Sequence, residues 1–293
     1  MKISKTMNMS RRTFLGGIAA MSMVRSSSVR PLMPTKSHLR IVHLCDPQFG
    51  FSSSRPLMTH RAWAHLEKNY VADVARTVQA IDIVNEMNPD LVLFGGDMAQ
   101  RAEDIVKEWP RLLKRLKVPW MITPGNHDMG NAVVMENLRR FRDVFGRDRE
   151  AREVNGWRII AGNSQFWHPT KDATEEQTKY NEWVAAELER AKSYAGRVII
   201  ASHIPPFAFA YDEKDSYDNH PSSGRIERLE SCLAAGVRFY LSAHQHRMVT
   251  RGYKDMTILT GEALCANFDL RPPGFRLFEV GDDFNYSWNF IGV

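Results

Sequence analysis

The chain has 293 residues, 43% of them hydrophobic and 25% charged, which is the composition of an ordinary globular protein and excludes fibrous, disulfide-rich and membrane-embedded classes. Its net charge of +5 originates at the N-terminus, because residues 1–40 carry eight basic side chains and no acid. The rest of the chain carries the other 31 basic side chains and all 34 acidic ones, so it is slightly acidic. Nucleic acid is therefore not an expected partner.

The N-terminal segment has the order of features found in export signals. A polar stretch leads into residues 10–15, SRRTFL, and then into a weakly apolar run, rich in Gly and Ala, that ends at Val24. This resembles a twin-arginine signal and is too short to form a stable membrane span. We expect residues 1–36 to be an export leader, the twin-arginine machinery to be a partner, and the protein to be periplasmic or exported. A basic tail without this role is the alternative.

The three cysteines, Cys45, Cys232 and Cys265, are an odd number at long spacings. This pattern is neither a disulfide framework nor a zinc ribbon. We expect small buried side chains, with one disulfide after export as the alternative.

Residues 37–293 are predicted to form one domain in which apolar strands end in polar clusters and are followed by amphipathic helices. This pattern is typical of an α/β protein whose site lies at the carboxyl ends of its strands. Strands are predicted at residues 40–45, 91–94, 120–123, 197–201 and 237–241, and helices at residues 71–87, 132–145 and 175–195. Three later strands, at residues 257–260, 276–280 and 286–291, have a more antiparallel character, and we expect them to complete a second sheet.

Each of the first five strands ends in a cluster that contains a candidate metal ligand. The clusters are Asp46-Pro47-Gln48, Gly95-Gly96-Asp97, Gly125-Asn126-His127-Asp128, Ser202-His203 and His244-Gln245-His246. One Asp after a strand is usually a helix cap, and one His is usually structural. Five such clusters in this order are hard to obtain by chance.

The order and spacing of these clusters resemble the calcineurin-like metallophosphoesterase superfamily, and the likeness covers nearly everything after the leader. Gly125-Asn126-His127-Asp128 is its most specific part. The resemblance implies an α/β sandwich of two facing mixed β-sheets flanked by helices, with the site at strand carboxyl ends. Residues 46–50, 125–131, 163–166 and 203–205 look most like one protein-phosphatase member of the superfamily.

The resemblance also implies two divalent or trivalent metal ions and seven ligands, one of them bridging. They are Asp46, Gln48 and His246 for the first ion, Asn126, His203 and His244 for the second, and Asp97 for the bridge. In such a site a metal-bound hydroxide attacks phosphorus while both ions stabilise the phosphate oxygens. His127 would protonate the leaving oxygen or steady its charge.

Two positions depart from the superfamily pattern. Gln48 stands where a histidine ligand is usual, which favours manganese or iron and leaves zinc as a further candidate. Alternatively, Gln48 holds no metal and orients a water. Gln100 stands where many phosphatase relatives have a carboxylate that orients the catalytic histidine. A glutamine oxygen could still accept the imidazole N–H of His127, although without the charge of a carboxylate.

Residues 207–225 mix aromatic and acidic side chains and are predicted to form a surface loop over the site that reads the leaving group. A solvated connection is the alternative.

The expected activity is hydrolysis of phosphate monoesters. A phosphodiesterase acting on nucleotides or phospholipid head groups is the first alternative, and a non-catalytic metal-binding scaffold is the second.

Overall fold

Two mixed β-sheets form the centre of the protein. The computed structural model describes residues 38–54 and 69–293, so the predicted leader at residues 1–36 lies outside the described residues. The described strands are β1 Leu39–Leu44, β2 Leu91–Phe94, β3 Trp120–Ile122, β4 Glu150–Val154, β5 Trp157–Ala161, β6 Val198–Ala201, β7 Val237–Ser242, β8 Val249–Tyr253, β9 Met256–Thr260, β10 Gly274–Val280 and β11 Tyr286–Gly292. The α-helices are α1 Phe51–Ser54, α2 Tyr70–Met87, α3 Ile105–Arg115, α4 Asn126–Met129, α5 Met135–Phe145, α6 Thr174–Ala191 and α7 Arg225–Ala234.

The first sheet has the strand order β11-β10-β1-β2-β3, and the second has the order β4-β5-β6-β7-β9-β8. Strands β1, β2 and β3 are parallel, as are β5, β6, β7 and β9. Strands β10 and β11, β4, and β8 add antiparallel edges. The parallel strands carry their carboxyl ends to one side of each sheet, which is where α/β proteins place their sites.

The two sheets pack face to face through an apolar layer. Alternate residues of β1 divide between two environments, because successive side chains of a strand point to opposite faces. Leu39 and Ile41 pack against residues of the second sheet, including Ile199, whereas Val42 and Leu44 pack beneath the helices of the first sheet. The expected sandwich of two facing sheets flanked by helices is confirmed.

Helices cover both outer faces of the sandwich. Helices α2, α3 and α5 bury apolar residues on the first sheet, with Trp109 fully buried at their centre. Helices α6 and α7 cover the second sheet through residues such as Leu188 and Leu229.

In the described part of the chain, no helix combines the length and the apolar character needed to cross a membrane. Cys45, Cys232 and Cys265 are buried and free, as expected.

The role expected for the last three strands is partly wrong. Strand β9 joins the second sheet, but it runs parallel to β7, and β10 and β11 extend the first sheet instead. Strand β10 pairs antiparallel with β1, with Ile41 opposite Phe278. Without this pairing, β1 would be an open edge strand with unpaired backbone groups. The chain therefore returns to its starting sheet after leaving the site.

Candidate metal centre

The strand-end clusters meet at one side of the sandwich, and backbone hydrogen bonds join them. The N–H of Gln48 donates to the carbonyl oxygen of Asp97 at 2.9 Å, and the N–H of Ala243 donates to that of His203 at 2.8 Å. The N–H of His244 donates to Oδ2 of Asp46 at 3.2 Å. This last bond links the loop after β1 in the first sheet to the loop after β7 in the second.

Five of the seven predicted ligands have left-handed backbone conformations. Their φ angles are 46° for Asp46, 36° for Gln48, 53° for Asp97, 71° for His244 and 47° for His246. Residues other than glycine are uncommon in this region, and each such conformation costs roughly 1–3 kcal/mol. Strain of this kind concentrates at functional sites, where the surrounding structure enforces it.

Two glycines allow the loops to approach each other closely. A Cβ atom at Gly125 would lie 2.0 Å from Oδ1 of Asp97. A Cβ atom at Gly96, whose φ is +96°, would lie 2.8 Å from Nδ1 of His203. Glycine is therefore required at both positions for the predicted ligands to converge.

Asp97, His203 and His244 converge at the centre of the site. Nε2 of His203 lies 3.2 Å from Oδ2 of Asp97 and 3.2 Å from Nδ1 of His244. The other ring nitrogens are engaged, because Nδ1 of His203 donates to the carbonyl oxygen of Gly95 at 2.7 Å and Nε2 of His244 donates to that of Tyr217 at 2.9 Å. Two ring nitrogens that face each other at this distance need a shared proton or cation between them.

Two buried oxygens add to this arrangement. Oδ1 of Asp46 and Oδ1 of Asn126 have no hydrogen-bond partner among the described residues. The amide nitrogen Nδ2 of Asn126 donates to the hydroxyl of Tyr217 at 2.7 Å, which leaves the amide oxygen for another partner. Buried oxygens without a partner are costly, and a cation would satisfy both. Carboxylate, amide and imidazole donors together fit a transition metal ion.

His246 and Gln48 lie on the side of Asp46. Nδ1 of His246 lies 2.9 Å from the carbonyl oxygen of Ala266, and its Nε2 lies 3.7 Å from Oδ1 of Asp46. The buried oxygen Oε1 of Gln48 accepts a long 3.8 Å bond from the Cys265 thiol. Such a bond is weak, so it leaves Gln48 able either to bind a metal or to orient a water.

Charge in the site divides the ligands into two groups. Burial alone would lower the pKa of His203, but the carboxylate of Asp97 outweighs it and raises this pKa to about 9. Burial raises the pKa of Asp46 to about 8. Burial lowers the pKa of His244 to about 3 and that of His246 to about 4. At pH 7 His244 and His246 are therefore neutral and able to bind a metal ion. His203 and Asp46 hold protons that a cation would displace.

His127 lies half-buried at the edge of the site. Its N–H donates to Oδ1 of Asp97 at 2.8 Å, and its Nδ1 lies 2.8 Å from the main-chain oxygen of Gln100. The main chain of Gln100, and not its side chain, therefore takes the place that the side-chain oxygen could have filled. Oε1 of Gln100 has no partner within the described ranges. Any residue at position 100 offers a main-chain oxygen, so the orientation of His127 does not depend on the side chain there.

Sequence reasoning did not identify Asp128 as a support of the site. This buried carboxylate accepts the N–H of Met98 and the N–H of Gly125, each at 2.9 Å, and so ties the loops after β2 and β3 together. The Gly-Asn-His-Asp cluster contained the signal, since an Asp three residues after Gly125 is in place to accept a bond at the start of a helix.

The loop at residues 207–224, the cover loop, lies against the site as expected. Its Tyr217 contacts two predicted ligands, Asn126 and His244, and the ring of Tyr217 packs at 4.7 Å from that of His244. Asp218 Oδ1 lies 3.8 Å from Nε2 of His244. Sequence reasoning placed Tyr217 in this loop but did not predict its contacts.

Comparison with known proteins agrees with this geometry. Residues 39–248 match the family model of the calcineurin-like phosphoesterases, and this segment spans all five strand-end clusters. The protein belongs to the calcineurin-like phosphoesterase family. The family is metal-dependent, and the cluster formed by Asp97, His203 and His244 provides a possible metal site.

Individual relatives of this calcineurin-like phosphoesterase carry two kinds of name. Serine/threonine-protein phosphatase CPPED1 of Rattus norvegicus is 26% identical over 251 residues, which cover 80% of this chain and 78% of that protein. This match confirms the predicted likeness to one protein-phosphatase member of the superfamily, which is this CPPED1, calcineurin-like phosphoesterase domain-containing protein 1. A "Probable cyclic nucleotide phosphodiesterase" of Fibrobacter succinogenes is 24% identical over 235 residues, which cover 73% of this chain and 88% of that protein.

The fold has a solved counterpart. The crystal structure of a dimetal phosphatase from Danio rerio matches with a TM-score of 0.60 and 14% identity, covering 87% of this chain and 96% of that one. At this identity the match shows the fold, which is the metallophosphoesterase sandwich. The family model thus assigns the protein to the phosphoesterases, and the solved structure adds the fold.

Proposed function

We propose that this phosphoesterase hydrolyses phosphate monoesters at a site that holds two metal ions. Asp46, Gln48 and His246 would hold the first ion, Asn126, His203 and His244 would hold the second, and Asp97 would be a ligand of both. The observation that carries the proposal is the pair of buried oxygens, Oδ1 of Asp46 and Oδ1 of Asn126, without partners in the described structure. They belong to opposite sides of the site, so each side has an oxygen that a cation would satisfy.

The ions would supply charge stabilisation for the phosphate and an activated water, as dinuclear centres do. The protein residues position the reaction. Oδ1 of Asp97 accepts the N–H of His127 and so fixes His127 relative to the bridging carboxylate. Because Nδ1 of His127 donates to the main-chain oxygen of Gln100, its Nε2 is the nitrogen left to act on the substrate. In the imidazolium form of His127 this Nε2–H can pass its proton to the leaving oxygen.

One observation favours monoesters, because the matched relatives include a protein named a serine/threonine-protein phosphatase. A second observation concerns the leaving group. The cover loop places the half-exposed acid Asp218 beside His244, where it would repel a polyanion such as nucleic acid and tolerate a neutral or cationic leaving group, as in a phosphopeptide or a small-molecule ester. A phosphodiesterase acting on nucleotides or phospholipid head groups is the alternative, and the name of the Fibrobacter succinogenes relative favours it.

The test is the hydrolysis of p-nitrophenyl phosphate against bis-p-nitrophenyl phosphate by the manganese-loaded full chain, with Asp97→Asn as the control. A faster monoester rate that disappears in Asp97→Asn is expected. A faster diester rate would make the protein a phosphodiesterase. No metal-dependent rate on either ester would leave a non-catalytic metal-binding scaffold.

We propose further that Gln48 shifts the metal preference from zinc toward manganese or iron. An amide oxygen is a harder ligand than an imidazole nitrogen, and harder ligands favour manganese over zinc. The activity of metal-free protein given equal amounts of zinc and manganese tests this, with Gln48→His as the matched variant. Wild type is expected to be faster with manganese and Gln48→His to gain with zinc. A wild-type protein that is faster with zinc contradicts the proposal.

The export proposal has a separate test. The segment SRRTFL at residues 10–15 supports a twin-arginine leader and a periplasmic role such as phosphate scavenging. Cell fractionation should find the wild-type protein outside the cytoplasm and the double variant Arg11→Lys/Arg12→Lys inside it. Equal distribution of the two would remove the twin-arginine route.

A further inference from the structure

The cover loop is built to hold a fixed shape. Glu213 accepts the N–H groups of three consecutive residues, Ala208 at 2.5 Å, Phe209 at 2.7 Å and Ala210 at 3.0 Å. The amide of Asn219 donates to the same carboxylate at 2.6 Å. These bonds close the loop on itself, so its tip is placed by bonds that do not involve the metal site.

A buried arginine fastens this loop to α7, the helix that packs on the second sheet. Arg225, at the start of α7, is 1% exposed and donates to the carbonyl oxygens of Tyr211, Glu213 and His220. His220 in turn bonds the carbonyl oxygen of Ile204, next to His203, at 2.7 Å. The loop is therefore anchored to the strand-end cluster that carries one of the predicted ligands.

At the tip of the loop, Tyr217 contacts Asn126 and His244, two of the residues proposed to hold the second ion, in three ways. Its hydroxyl accepts the amide Nδ2–H of Asn126 at 2.7 Å, its carbonyl oxygen accepts Nε2–H of His244 at 2.9 Å, and its ring packs on the His244 ring at 4.7 Å. The first side has a different support, because His246 bonds the carbonyl oxygen of Ala266.

These contacts determine which atom each ligand turns toward the metal. An asparagine amide can present either its oxygen or its nitrogen, and only the oxygen binds a cation. Holding Nδ2 of Asn126 on the Tyr217 hydroxyl directs Oδ1 into the site. Because Nε2–H of His244 is held by the carbonyl oxygen of Tyr217, Nδ1 is the nitrogen that presents its lone pair to the site, 3.2 Å from Nε2 of His203. Outer residues that orient ligands in this way contribute strongly to metal affinity.

We propose that Tyr217 is a positioning residue that orients Asn126 and His244 as ligands of the second metal ion, so that the cover loop controls occupancy of that ion alone. This inference rests on the proposed two-ion site. It goes beyond that site by making the second ion, and not the first, dependent on the loop.

The experiment is a manganese titration of the metal-free full chain followed by electron paramagnetic resonance of the unbound ion, which yields both binding constants. Tyr217→Phe keeps the ring and the main-chain oxygen but loses the hydroxyl that holds Asn126. Its second-ion affinity is expected to fall about 10-fold, the lower end of the range for residues that orient ligands, with the first-ion affinity unchanged. His246→Ala, which removes a first-side ligand, shows which constant belongs to which side.

Tyr211→Phe is the matched control. Tyr211 belongs to the same loop and is also half-exposed, but its ring packs on Tyr253. It should bind both ions as wild type does, and thermal unfolding of both variants should match the wild type.

Unchanged constants in Tyr217→Phe, or an equal loss at both ions, would overturn the inference. Uptake of one ion by the wild type would instead contradict the two-ion proposal. The role of Tyr217 would then be decided by whether Tyr217→Phe weakens that single ion.

Discussion

Two carboxylates support the same site by accepting N–H groups, one in the buried core and one in a partly exposed loop. They are Asp128, beside the predicted ligands, and Glu213, inside the cover loop. Asp128 is fully buried and joins two loops, because it accepts the N–H of Met98, 30 residues away, as well as that of Gly125. Glu213 is partly exposed and bonds N–H groups within five residues of itself. One brace connects distant parts of the fold, whereas the other shapes a local segment.

The two surroundings shift the pKa values of these acids in opposite directions. Burial, with the nearby charge of Asp97, raises the pKa of Asp128 to about 7. Burial alone would raise the pKa of Glu213 as well, but the N–H groups of the cover loop outweigh it and lower this pKa. Asp128 is therefore buried at a desolvation cost and belongs to the folded core. Glu213 acts locally, and its loss should lower the free energy of unfolding only a little.

The largest expected effect is on Asp128. In Asp128→Ala, the N–H groups of Met98 and Gly125 lose their acceptor, and each buried unsatisfied donor costs about 1–3 kcal/mol. We expect urea unfolding of the metal-free protein to show a loss of roughly 2–6 kcal/mol, from two such donors. Asp143→Ala, an exposed acid on α5, is the control and should change by less than about 0.5 kcal/mol. A similar small change in Asp128→Ala would remove the distinction between the two braces.

The next effect is the pH dependence of metal affinity, which belongs to the strand-end ligands and not to the loop. Without metal, His203 holds its proton up to about pH 9 and Asp46 up to about pH 8. A metal ion must displace these protons, so affinity should rise with pH, by up to about 10-fold per unit for each proton displaced, and level off above pH 9.

Calorimetry of manganese binding in buffers of different ionisation enthalpy measures the released protons. His244 and His246 are neutral above about pH 4, because burial lowers their pKa values, and should release none at pH 7. Asp46→Asn should release about one proton fewer than wild type. Affinity that is flat between pH 6 and pH 8 would contradict this prediction.

The strand-end half of the site could be predicted from the sequence because its signals are local. Strand β2 was predicted residue by residue, since the apolar run Leu91–Phe94 ends at Gly95-Gly96. Parallel strands bring such ends to one edge, so the ligands follow the strands. The contact between Tyr217 and Asn126 joins residues 91 positions apart and has no pattern in the sequence. No periodicity predicts which side chain of a loop reaches a ligand.

Some of the fold was missed although a signal was present. Strands β4 and β5 form a hairpin around Asn155-Gly156, whose φ angles of 49° and 77° are those of a tight hairpin turn. An Asn-Gly pair between two strand-like runs is the strongest short-range hairpin signal. By contrast, the assignment of β10 to the first sheet depends on pairing with β1 across the whole domain, which composition and alternation do not specify.

Removing the loop brace is expected to have a smaller and more local effect. In Glu213→Ala, the global stability at pH 7 should fall by about 1 kcal/mol or less, since one acceptor group of a partly exposed loop is lost. Amide exchange at Ala208, Phe209 and Ala210 should accelerate roughly 10-fold, and second-ion affinity should weaken about 3-fold.

Asp212→Ala, the exposed neighbouring acid, is the matched control for the lost charge. Because the pKa of Glu213 is lowered, the brace is fully charged at pH 7, and its contribution is lost only as the pH falls through that lowered pKa. A loss of global stability as large as that of Asp128→Ala would show that the cover loop belongs to the cooperative core.

The smallest expected effect is at Gln100, where a main-chain oxygen contacts His127 in place of the side-chain oxygen that could have done so. Gln100→Ala keeps the oxygen that lies 2.8 Å from Nδ1 of His127, so activity should stay within about 2-fold and the pH–rate profile should keep its shape. His127→Ala is the contrasting variant, since loss of a general acid costs about 100-fold or more with metal content unchanged. A shifted profile in Gln100→Ala would mean that the side chain bonds His127 during turnover, and that the main-chain contact holds only in the resting protein.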